Sequence, residues 1–421
     1  MTDHPTEAPR PATEPEHSPP KPPPLRRGRS YFVHYGEVGL KKGNRPYFET
    51  RLVRNLHYTL RGLRVMGIHR IYGRLRIDQE LDGDRGELLR RLSRVHGVSH
   101  VLPIERFGWD LGPIEARLAE WAGEGGFESF AIRCRRIQKS YPHRSQDLMV
   151  RLGAIVGERS GARVDLRAPE VEFSVLILNR EVILSRERIS GPGGLPTGTA
   201  GRVLHMLSGG IDSPVAAERL LRRGCHLQFV HFHSSPFTDR SSIEKTTELA
   251  NILTRHRMRS KLHLVPLGLL QQRIVQDAPA RWRVMLYRRS MLRIAARIAG
   301  WNQCKALGSG ENLAQVASQT LENLAVLDET VALPLLRPLL SYDKEEIVEE
   351  ARRIGTYEVS TEPHADCCGY LLPRRPVTDG TVEEVREIEA ALDLSEELEE
   401  VHSRTEVVTL PDLDREPPGE E

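Results

Sequence analysis

Short apolar runs alternate with amphipathic segments in the second half of the chain. The runs predict strands at 203–207, 227–232, 262–266 and 305–307. Between and after them, apolar residues recur at the 3.6-residue helical spacing. These segments predict helices at 214–223, 242–255, 281–299, 312–323 and 344–354. This alternation is typical of an α/β, Rossmann-like domain whose parallel sheet carries helices on both faces.

A smaller α+β pattern precedes this region. Phe48, Leu52, Leu56 and Leu60 recur every four residues, which predicts a helix over 45–61 with one apolar face. Strand-like runs flank this helix at 31–34 and 67–72. Strands and helices joined by short links are typical of a small α+β domain.

A second α+β pattern begins near Gly97. It predicts an alternating strand at 129–135, a helix at 146–159 and a strand pair at 172–178 and 182–185. The glycine- and proline-rich stretch at 191–198 then predicts a boundary between domains.

Length and composition set the domain organisation. At 421 residues the chain exceeds the ~250–300 residues that one hydrophobic core usually supports. Nine of the 28 prolines lie before Leu25, where no apolar periodicity occurs, so this segment is predicted to be disordered. The predicted order is a disordered tail at 1–29, α+β domains at 30–96 and 97–198, an α/β domain at 199–395 and an acidic disordered tail at 396–421.

Several classes of protein are not expected from this composition. No stretch approaches the ~18–20 uninterrupted apolar residues of a membrane helix, and no apolar run follows a basic start. Five cysteines in 421 residues are too few for a disulfide scaffold. We therefore expect a cytoplasmic protein without a membrane partner.

The formal net charge of +2 conceals two unlike regions. Residues 381–421 hold 15 acidic and 3 basic residues, a net of −12, so residues 1–380 carry +14. Basic residues, mostly Arg, cluster at 26–76, 133–151 and 273–297. Because arginine pairs well with phosphate, the three clusters together predict a nucleic-acid partner, although any single cluster has a solvated helix face as its alternative. We expect the acidic tail to serve solubility rather than to compete with RNA.

The strongest chemical signal is the segment 208–213, Ser-Gly-Gly-Ile-Asp-Ser, which follows a predicted strand and precedes Pro214. Proline is favoured in the first turn of a helix, and paired glycines let backbone N–H groups approach an anion at a helix N-terminus. Ser208 and Ser213 add hydroxyl donors. The Walker and dinucleotide-binding spacings do not occur at this turn. The segment predicts a phosphate site, with a plain Gly-rich turn as the alternative.

This segment resembles the pyrophosphate-binding loop, or PP-loop, of ATP pyrophosphatases. With its flanks, the chain over roughly 31–373 is similar to bacterial tRNA 4-thiouridine synthetases, a family also implicated in thiamine thiazole synthesis. The segments that carry this likeness, besides the loop, are 34–49, 130–145, 193–198, 230–237, 308–322, 336–339 and 343–344. The resemblance implies a ferredoxin-like domain, an RNA-binding THUMP domain and a PP-loop ATP pyrophosphatase domain, in that order.

The resemblance also implies an ATP site. Its expected members are Met206, Leu207, Ser208, Gly209, Gly210, Ser213, His231, Phe232, Arg288, Gly310 and Gln319. Asp212 would bind Mg²⁺ or orient the pyrophosphate. Lys344 would assist adenylation, because a cation near the α-phosphate stabilises charge that develops there. Since Lys344 also lies in the first turn of a predicted helix, a purely structural role is its alternative.

Cys367 and Cys368 are adjacent on a predicted loop. Thiolate chemistry needs an accessible, activated sulfur, and the resemblance implies that a cysteine here delivers sulfur. We expect Cys368, next to Gly369, to carry the sulfur and Cys367 to resolve it, although the two assignments can be exchanged.

Three alternatives for this cysteine pair stay open. The pair is inert, it binds a metal with His364, or it holds an iron–sulfur cluster with Cys225 or Cys304. The metal site and the cluster are disfavoured, because neither paired zinc-type spacing nor a C-x-x-C occurs.

The tRNA is expected to contact the second basic cluster, where aromatic residues alternate with charges and suit contact with phosphate and unpaired bases. The residues expected to bind it are Arg133, Arg135, Arg136, Lys139 and Arg144.

The expected function is ATP-dependent sulfur transfer to tRNA. Adenylation of O4 of uridine 8 and displacement of AMP by a persulfide sulfur would give 4-thiouridine. After Gly380 there is no room for the rhodanese domain of longer family members, so we expect an external persulfide donor such as a cysteine desulfurase. The family suggests a homodimer. The alternatives are a thiolase of another tRNA position, a sulfurtransferase for a thiazole sulfur-carrier protein, and an RNA-binding protein with a decayed catalytic domain.

Overall fold

The computed structural model describes residues 28–363, 373 and 375–411. These residues form two compact units. The first contains Leu102–Arg188 with Asp78–Leu81 and the residues up to Phe32; the second contains Val33–Ile77, Asp82–Val101 and the chain from Ile189 onward.

The N-terminal segment contains three strands and two α-helices, besides two short 3-10 helices, Glu37–Leu40 and Lys42–Asn44. The strands and α-helices are β1 (Arg29–His34), α1 (Arg45–Thr59), β2 (Val65–Ile71), β3 (Arg74–Gln79) and α2 (Arg85–Leu92). Helix α1 confirms the helix predicted at 45–61, with Leu52 and Leu56 fully buried on its apolar face. Asp84 caps helix α2, because its carboxylate accepts a hydrogen bond from the Glu87 N–H and thereby satisfies an unpaired donor of the first turn.

The next segment has the predicted strand–helix–strand pattern. Its elements are β4 (His100–Phe107), α3 (Leu111–Gly123), β5 (Ser129–Arg136), α4 (Ser145–Ser160), β6 (Arg163–Val164), β7 (Val171–Ile177) and β8 (Val182–Ser185). Neighbouring strands follow the order β4-β8-β7-β5-β6. Trp121, Phe130, Leu152 and Phe173 are buried together between this sheet and its two helices. The sheet is therefore covered on one face by an aromatic-rich core.

The predicted linker begins after β9 (Ile189–Ser190) and lies against the C-terminal domain. The Leu195 N–H donates to the Arg222 carbonyl at 3.0 Å. Gly194 has a φ of +70°, and a Cβ at this position would lie 2.1 Å from the Arg222 oxygen. Only glycine fits there, so the Gly-Gly pair allows close contact between linker and domain.

The C-terminal domain alternates strands and helices. Its first elements are β10 (Arg202–Met206), α5 (Asp212–Arg222), β11 (His226–His233), α6 (Ser241–Thr254), β12 (Ser260–Pro266), α7 (Gly268–Asp277) and α8 (Arg283–Trp301). The remainder are β13 (Ala306–Gly308), α9 (Leu321–Asp328), β14 (Leu335–Leu336), α10 (Lys344–Ile354), α11 (Tyr357–Thr361), α12 (Val382–Leu392), α13 (Ser395–Ser403) and β15 (Glu406–Leu410).

Six strands of this domain form one sheet in the order β14-β13-β10-β11-β12-β15. All pairs are parallel except β12 with β15. Successive side chains of a strand point to opposite faces. Accordingly, Leu204 and Val230 pack with α8, whereas Val203 and Phe229 pack with α5 and α6. The predicted parallel sheet with helices on both faces is confirmed.

The helix predicted at 312–323 is wrong over its first part. Residues 312–320 form a loop with one 3-10 turn, Ala317–Gln319, and α9 begins only at Leu321. The Thr320 hydroxyl accepts from the Asn323 N–H at 3.2 Å and caps α9 at that point. The cap and the loop contacts outweigh the apolar periodicity that suggested a longer helix.

The disordered tail predicted from residue 396 is wrong over 396–410, which form most of α13 and all of β15. Val401 and Leu410 are buried, and β15 pairs with β12 from Ser260↔Leu410 onward. The high charge of the segment conceals these apolar anchors.

The acidic side chains of the last helices pair with the third basic cluster. Glu389 of α12 accepts from Arg289 and Arg293 of α8, and Glu399 of α13 accepts from Arg297. The cluster at 273–297 is therefore largely neutralised within the protein. Among the helices that the structure describes, none is both long and apolar enough to span a membrane.

Candidate nucleotide site

A cavity of about 500 Å³ lies at the carboxyl edge of the parallel sheet, beside the segment 208–213. Ten of the eleven residues expected to bind ATP line it, and Asp212 lines it as well. The ten are Met206, Leu207, Ser208, Gly210, Ser213, His231, Phe232, Arg288, Gly310 and Gln319. Gly209 lies outside the lining. Open α/β sheets bind their ligands at this edge.

The segment 208–213 forms a closed turn at the start of α5. The Ser208 N–H donates to the Ser213 hydroxyl at 2.9 Å, and that hydroxyl lies 3.2 Å from the Ser208 carbonyl oxygen. A Cβ on Gly310 would lie 2.7 Å from the Ser213 backbone nitrogen, so the neighbouring loop can approach only through a glycine. The turn presents the N-terminus of α5, with its positive dipole end, to the cavity.

Two buried histidines support this turn from below. His205 Nε2 donates to the Ser213 carbonyl at 2.8 Å, and burial lowers the pKa of His205 to about 4. His231 Nδ1 lies 3.0 Å from the Leu207 carbonyl oxygen. His231 lines the cavity, but its ring also fixes the strand that leads into the turn.

The inner part of the cavity is apolar. Its walls include Met206, Val230, Phe232, Met291 and Leu327. An apolar slot suits the faces of a planar base, while the turn at its rim suits phosphate. The arrangement therefore fits a nucleoside triphosphate.

Asp212 is held by two donors at the rim of the cavity. Lys344 Nζ donates to Asp212 Oδ1 at 2.5 Å, and Gln315 Nε2 donates to Oδ2 at 3.2 Å. Lys344 comes from the start of α10, where Asp343 and Glu346 form a capping box. The structure thus brings the two predicted residues together, although Lys344 lies outside the cavity lining. Sequence reasoning missed Gln315, which lies inside the quoted segment 308–322.

Arg288 is fixed by a buried carboxylate that sequence reasoning also missed. Glu311 accepts hydrogen bonds from both Arg288 and Arg337 and is only 5% exposed. Burial alone would raise the pKa of Glu311, but the two guanidinium groups outweigh it and hold the pKa below its ordinary range. Arg288 also donates to the Ser318 hydroxyl at 2.6 Å. The guanidinium charge is thus balanced at the cavity wall.

The predicted sulfur carriers, Cys367 and Cys368, lie outside the described residues, as does His364. The other three cysteines are free thiols. Burial raises the pKa of Cys225 and raises that of Cys304 to about 11. Within the ranges that the structure describes, no group of three or more His, Cys, Asp or Glu side chains could hold a metal ion.

The five basic residues predicted to bind RNA divide into two groups. Arg133 donates to the Leu166 carbonyl at 2.6 Å, and Arg136 donates to the His143 carbonyl at 2.8 Å, so both stabilise neighbouring loops. Arg135, Lys139 and Arg144 are exposed, and so is Arg133, which also pairs with Glu172. The first group therefore has a structural role in addition to any contact with RNA.

A strand, a Gly-Gly turn and a helix N-terminus beside an apolar slot define a nucleotide-binding protein of the PP-loop ATP pyrophosphatase class. Family models match the chain in three segments: the ThiI ferredoxin-like domain at 30–101, the THUMP domain at 116–187, and the family described as thiamine biosynthesis protein (ThiI) at 198–394. The chain belongs to this ThiI family. The predicted domain order is confirmed, while the exact boundaries given above stay predictions.

Relatives with similar sequences span nearly the whole chain. A probable tRNA sulfurtransferase of Thermus thermophilus is 43% identical and aligns over 89% of this chain and 92% of its own length. One of Nocardia farcinica is 40% identical over 91% and 94%. A crystal structure of a 4-thiouridine synthetase–RNA complex with bound ATP is similar with a TM-score of 0.82 and 32% identity, covering 91% of this chain and 99% of that one.

Proposed function

We propose that this protein is an ATP-dependent tRNA sulfurtransferase that converts uridine 8 to 4-thiouridine. The observation that carries the proposal is the contact between Asp212 and Lys344 at the rim of a nucleotide-sized cavity. Relatives named tRNA sulfurtransferase and a solved 4-thiouridine synthetase with ATP and RNA support the substrate class. A tRNA substrate also makes a cytoplasmic location the natural one.

The chain supplies the binding of ATP. The base would enter the apolar slot between Phe232 and Met291, and the phosphates would meet the turn 208–213 at the N-terminus of α5. The Asp212 carboxylate suits Mg²⁺, which prefers carboxylate and phosphate oxygens. When bound, Mg²⁺ would neutralise phosphate charge, and Asp212 would hold it. Lys344 would stabilise charge that develops at the α-phosphate.

The proposed reaction has two steps. O4 of the uridine attacks the α-phosphorus, the bond to the β-phosphate oxygen breaks, and pyrophosphate leaves. The terminal sulfur of a persulfide then attacks C4, and AMP leaves with the former O4. Adenylation is needed because the carbonyl oxygen of uracil is otherwise a poor leaving group.

Sulfur delivery is assigned to Cys368, with Cys367 as the resolving thiol. The persulfide sulfur on Cys368 comes from an external donor such as a cysteine desulfurase. Its attack on C4 links the tRNA to Cys368 through an S–S bond as AMP leaves. The Cys367 thiolate then attacks Cys368 Sγ, this S–S bond breaks, and its electron pair leaves with the sulfur of 4-thiouridine. Two external thiols then reduce the disulfide between Cys367 and Cys368. An iron–sulfur cluster is not part of this scheme.

Exposed basic side chains of the THUMP domain are assigned to tRNA binding. Arg135, Lys139 and Arg144 would contact phosphates directly, while Arg133 and Arg136 would support the surface that carries them. We extend the proposal to a homodimer as the working form, on the family resemblance.

The proposal is tested by tRNA-dependent exchange between ATP and pyrophosphate, together with mass spectrometry of tRNA nucleosides. Wild type should catalyse exchange and form 4-thiouridine. Asp212→Ala and Lys344→Ala should lose both activities while still binding tRNA. Full thiolation by either variant, or a wild type that modifies another tRNA position, would overturn the assignment.

The description of the matching family favours a second candidate, sulfur transfer in thiamine biosynthesis. A thiazole sulfur-carrier protein would then accept sulfur from the same cysteine. A deletion strain that keeps 4-thiouridine but needs added thiamine would favour this role. A deletion strain that loses 4-thiouridine but grows without added thiamine would favour tRNA as the only sulfur acceptor.

A further inference from the structure

Both carboxylate oxygens of Asp212 are engaged, and by donors from different parts of the domain. Lys344 reaches Oδ1 from α10, and Gln315 reaches Oδ2 from the loop between β13 and α9. The Asp212 and Lys344 side chains are 24% and 49% exposed. An ion pair this exposed is screened by water and orients a carboxylate only weakly. A second donor on the other oxygen fixes the plane of the carboxylate.

The loop that presents Gln315 is firmly anchored. The Ala314 N–H donates to the Gln319 carbonyl at 2.9 Å, and the Leu313 N–H donates to the Leu340 carbonyl at 3.2 Å. Ala314 has a φ of +60°, a left-handed conformation that a residue with a Cβ keeps only where its surroundings enforce it. The residue next to Gln315 is therefore held in an unfavourable backbone state by the contacts around it.

The same anchors connect this loop to the helix that carries Lys344. The Asn312 side-chain amide donates to the Tyr342 carbonyl at 2.5 Å, two residues before α10 begins. Gln315 and Lys344 are thus presented by segments that are hydrogen-bonded to each other. Their separation, and with it the position of the Asp212 carboxylate between them, is set by this shared scaffold.

We propose that Gln315 is a positioning residue for the adenylation step, acting by orienting Asp212. This inference rests on the proposed function. The Gln315 amide suits the task because it donates to Asp212 without adding negative charge beside a triphosphate. A carboxylate there would repel both Asp212 and the substrate phosphates.

The other charged groups around Asp212 are already engaged. Lys344 faces Oδ1, Asp343 and Glu346 are bound to each other's backbone N–H groups, and Glu311 is bound to Arg288 and Arg337.

Three variants test the role: Gln315→Met, Gln315→Glu and, as an exposed control on α7, Gln272→Met. Loss of one hydrogen bond to a charged group should lower the kcat of tRNA-dependent ATP–pyrophosphate exchange about 10- to 100-fold in Gln315→Met. The KM for ATP should stay within about threefold, because Gln315 lies outside the cavity lining. The Kd for tRNA, the thermal unfolding midpoint and all parameters of Gln272→Met should stay at the wild-type values.

Gln315→Glu provides a readout that a structural role would not change. A carboxylate has nearly the shape of the amide but has no N–H to donate to Asp212 Oδ2. The kcat of Gln315→Glu should therefore fall at least as far as that of Gln315→Met, while its thermal unfolding midpoint and its Kd for tRNA stay at the wild-type values. Wild-type activity in Gln315→Met or in Gln315→Glu would overturn the inference. A wild type without exchange activity would instead overturn the proposed function.

Discussion

Arg289 of α8 donates from Nε and Nη2 to the two carboxylate oxygens of Glu389 in α12, at 2.9 and 3.0 Å. The Arg289 side chain is 2% exposed, and its remaining nitrogen donates to the Val326 carbonyl and to Glu329. Burial and the guanidinium groups of Arg293 and Arg289 act in opposite directions on Glu389, and the guanidinium groups prevail, so its pKa is lowered. An acidic helix near the C-terminus is thus part of the catalytic domain.

Removing Glu389 should strongly destabilise this domain. In Glu389→Ala the buried Arg289 guanidinium loses two charge-assisted hydrogen bonds and keeps Glu329 as its remaining carboxylate partner, which should cost about 2–4 kcal/mol. Glu400→Ala is the matched control. Glu400 forms an exposed pair with Arg404 at the C-terminal end of α13, so its removal should cost less than about 0.5 kcal/mol. Urea unfolding of both variants measures the difference. Equal stabilities would show that the buried pair contributes nothing specific.

The neutralised arginines of α8 should not contribute to RNA binding. Arg297→Ala should leave the Kd for tRNA unchanged, since Arg297 already pairs with Glu399. Arg135→Ala and Lys139→Ala should each weaken binding and reduce the slope of log K against log salt by about one. Filter binding at several salt concentrations separates the two cases. A large loss in Arg297→Ala alone would restore α8 as an RNA-binding face.

Local patterns predicted the architecture well where apolar periodicity and tertiary packing agree. Consecutive residues such as Val203 and Leu204 pack into the cores on opposite faces of the sheet. A continuous apolar run therefore correctly predicted a buried parallel strand. The turn 208–213 was also predictable, because paired glycines before a helix have few other uses. Both features depend on neighbours in sequence.

The misjudged features depend on contacts between distant segments. The charge count along the sequence assigned Arg289 to a basic cluster and Glu389 to an acidic tail. The two residues lie 100 positions apart in the sequence, yet they form one buried pair in the structure. Gln315 is polar and lies in a loop, so only its approach to Asp212 distinguishes it from a solvated side chain. Sequence spacing carries no information about such pairings.

Cys225 and Cys304 should be dispensable for sulfur transfer. Since burial raises the pKa of Cys304 to about 11, roughly one thiol in a thousand is ionised at pH 8, and the thiolate is the reactive form. Cys225→Ala and Cys304→Ala should keep thiolation, whereas Cys368→Ser should lose it. Iodoacetamide labelling of the native protein, read by peptide mass spectrometry, should leave Cys304 unmodified. Loss of thiolation with loss of bound iron in Cys304→Ala, in anaerobic protein, would favour the cluster alternative.

His205 lies beneath the turn 208–213, where its ring is tightly enclosed. Its Nδ1 would lie 2.6 Å from a Cβ on Gly308, and its Nε2 donates to the Ser213 carbonyl. Because desolvation lowers the pKa of His205 to about 4, the ring stays neutral in the folded protein at pH 7. A proton added here would place an unsolvated charge under the turn.

This burial should make stability depend on pH through His205. Between the unfolded-state pKa of about 6.5 and the folded value of about 4, the unfolded chain binds more protons, so stability is full above about pH 6.5 and falls as the pH falls. The contribution amounts to about 3 kcal/mol by pH 4.

Urea unfolding midpoints of wild type and His205→Gln between pH 7.5 and 4.5 measure this contribution to stability. The variant should show a flatter pH dependence, because a glutamine amide can still donate to the Ser213 carbonyl but cannot titrate. The exposed, non-titrating substitution Gln272→Met is the control, and it should retain the wild-type slope. If the slope of His205→Gln equals that of wild type, the buried ring is not the group whose protonation opposes folding.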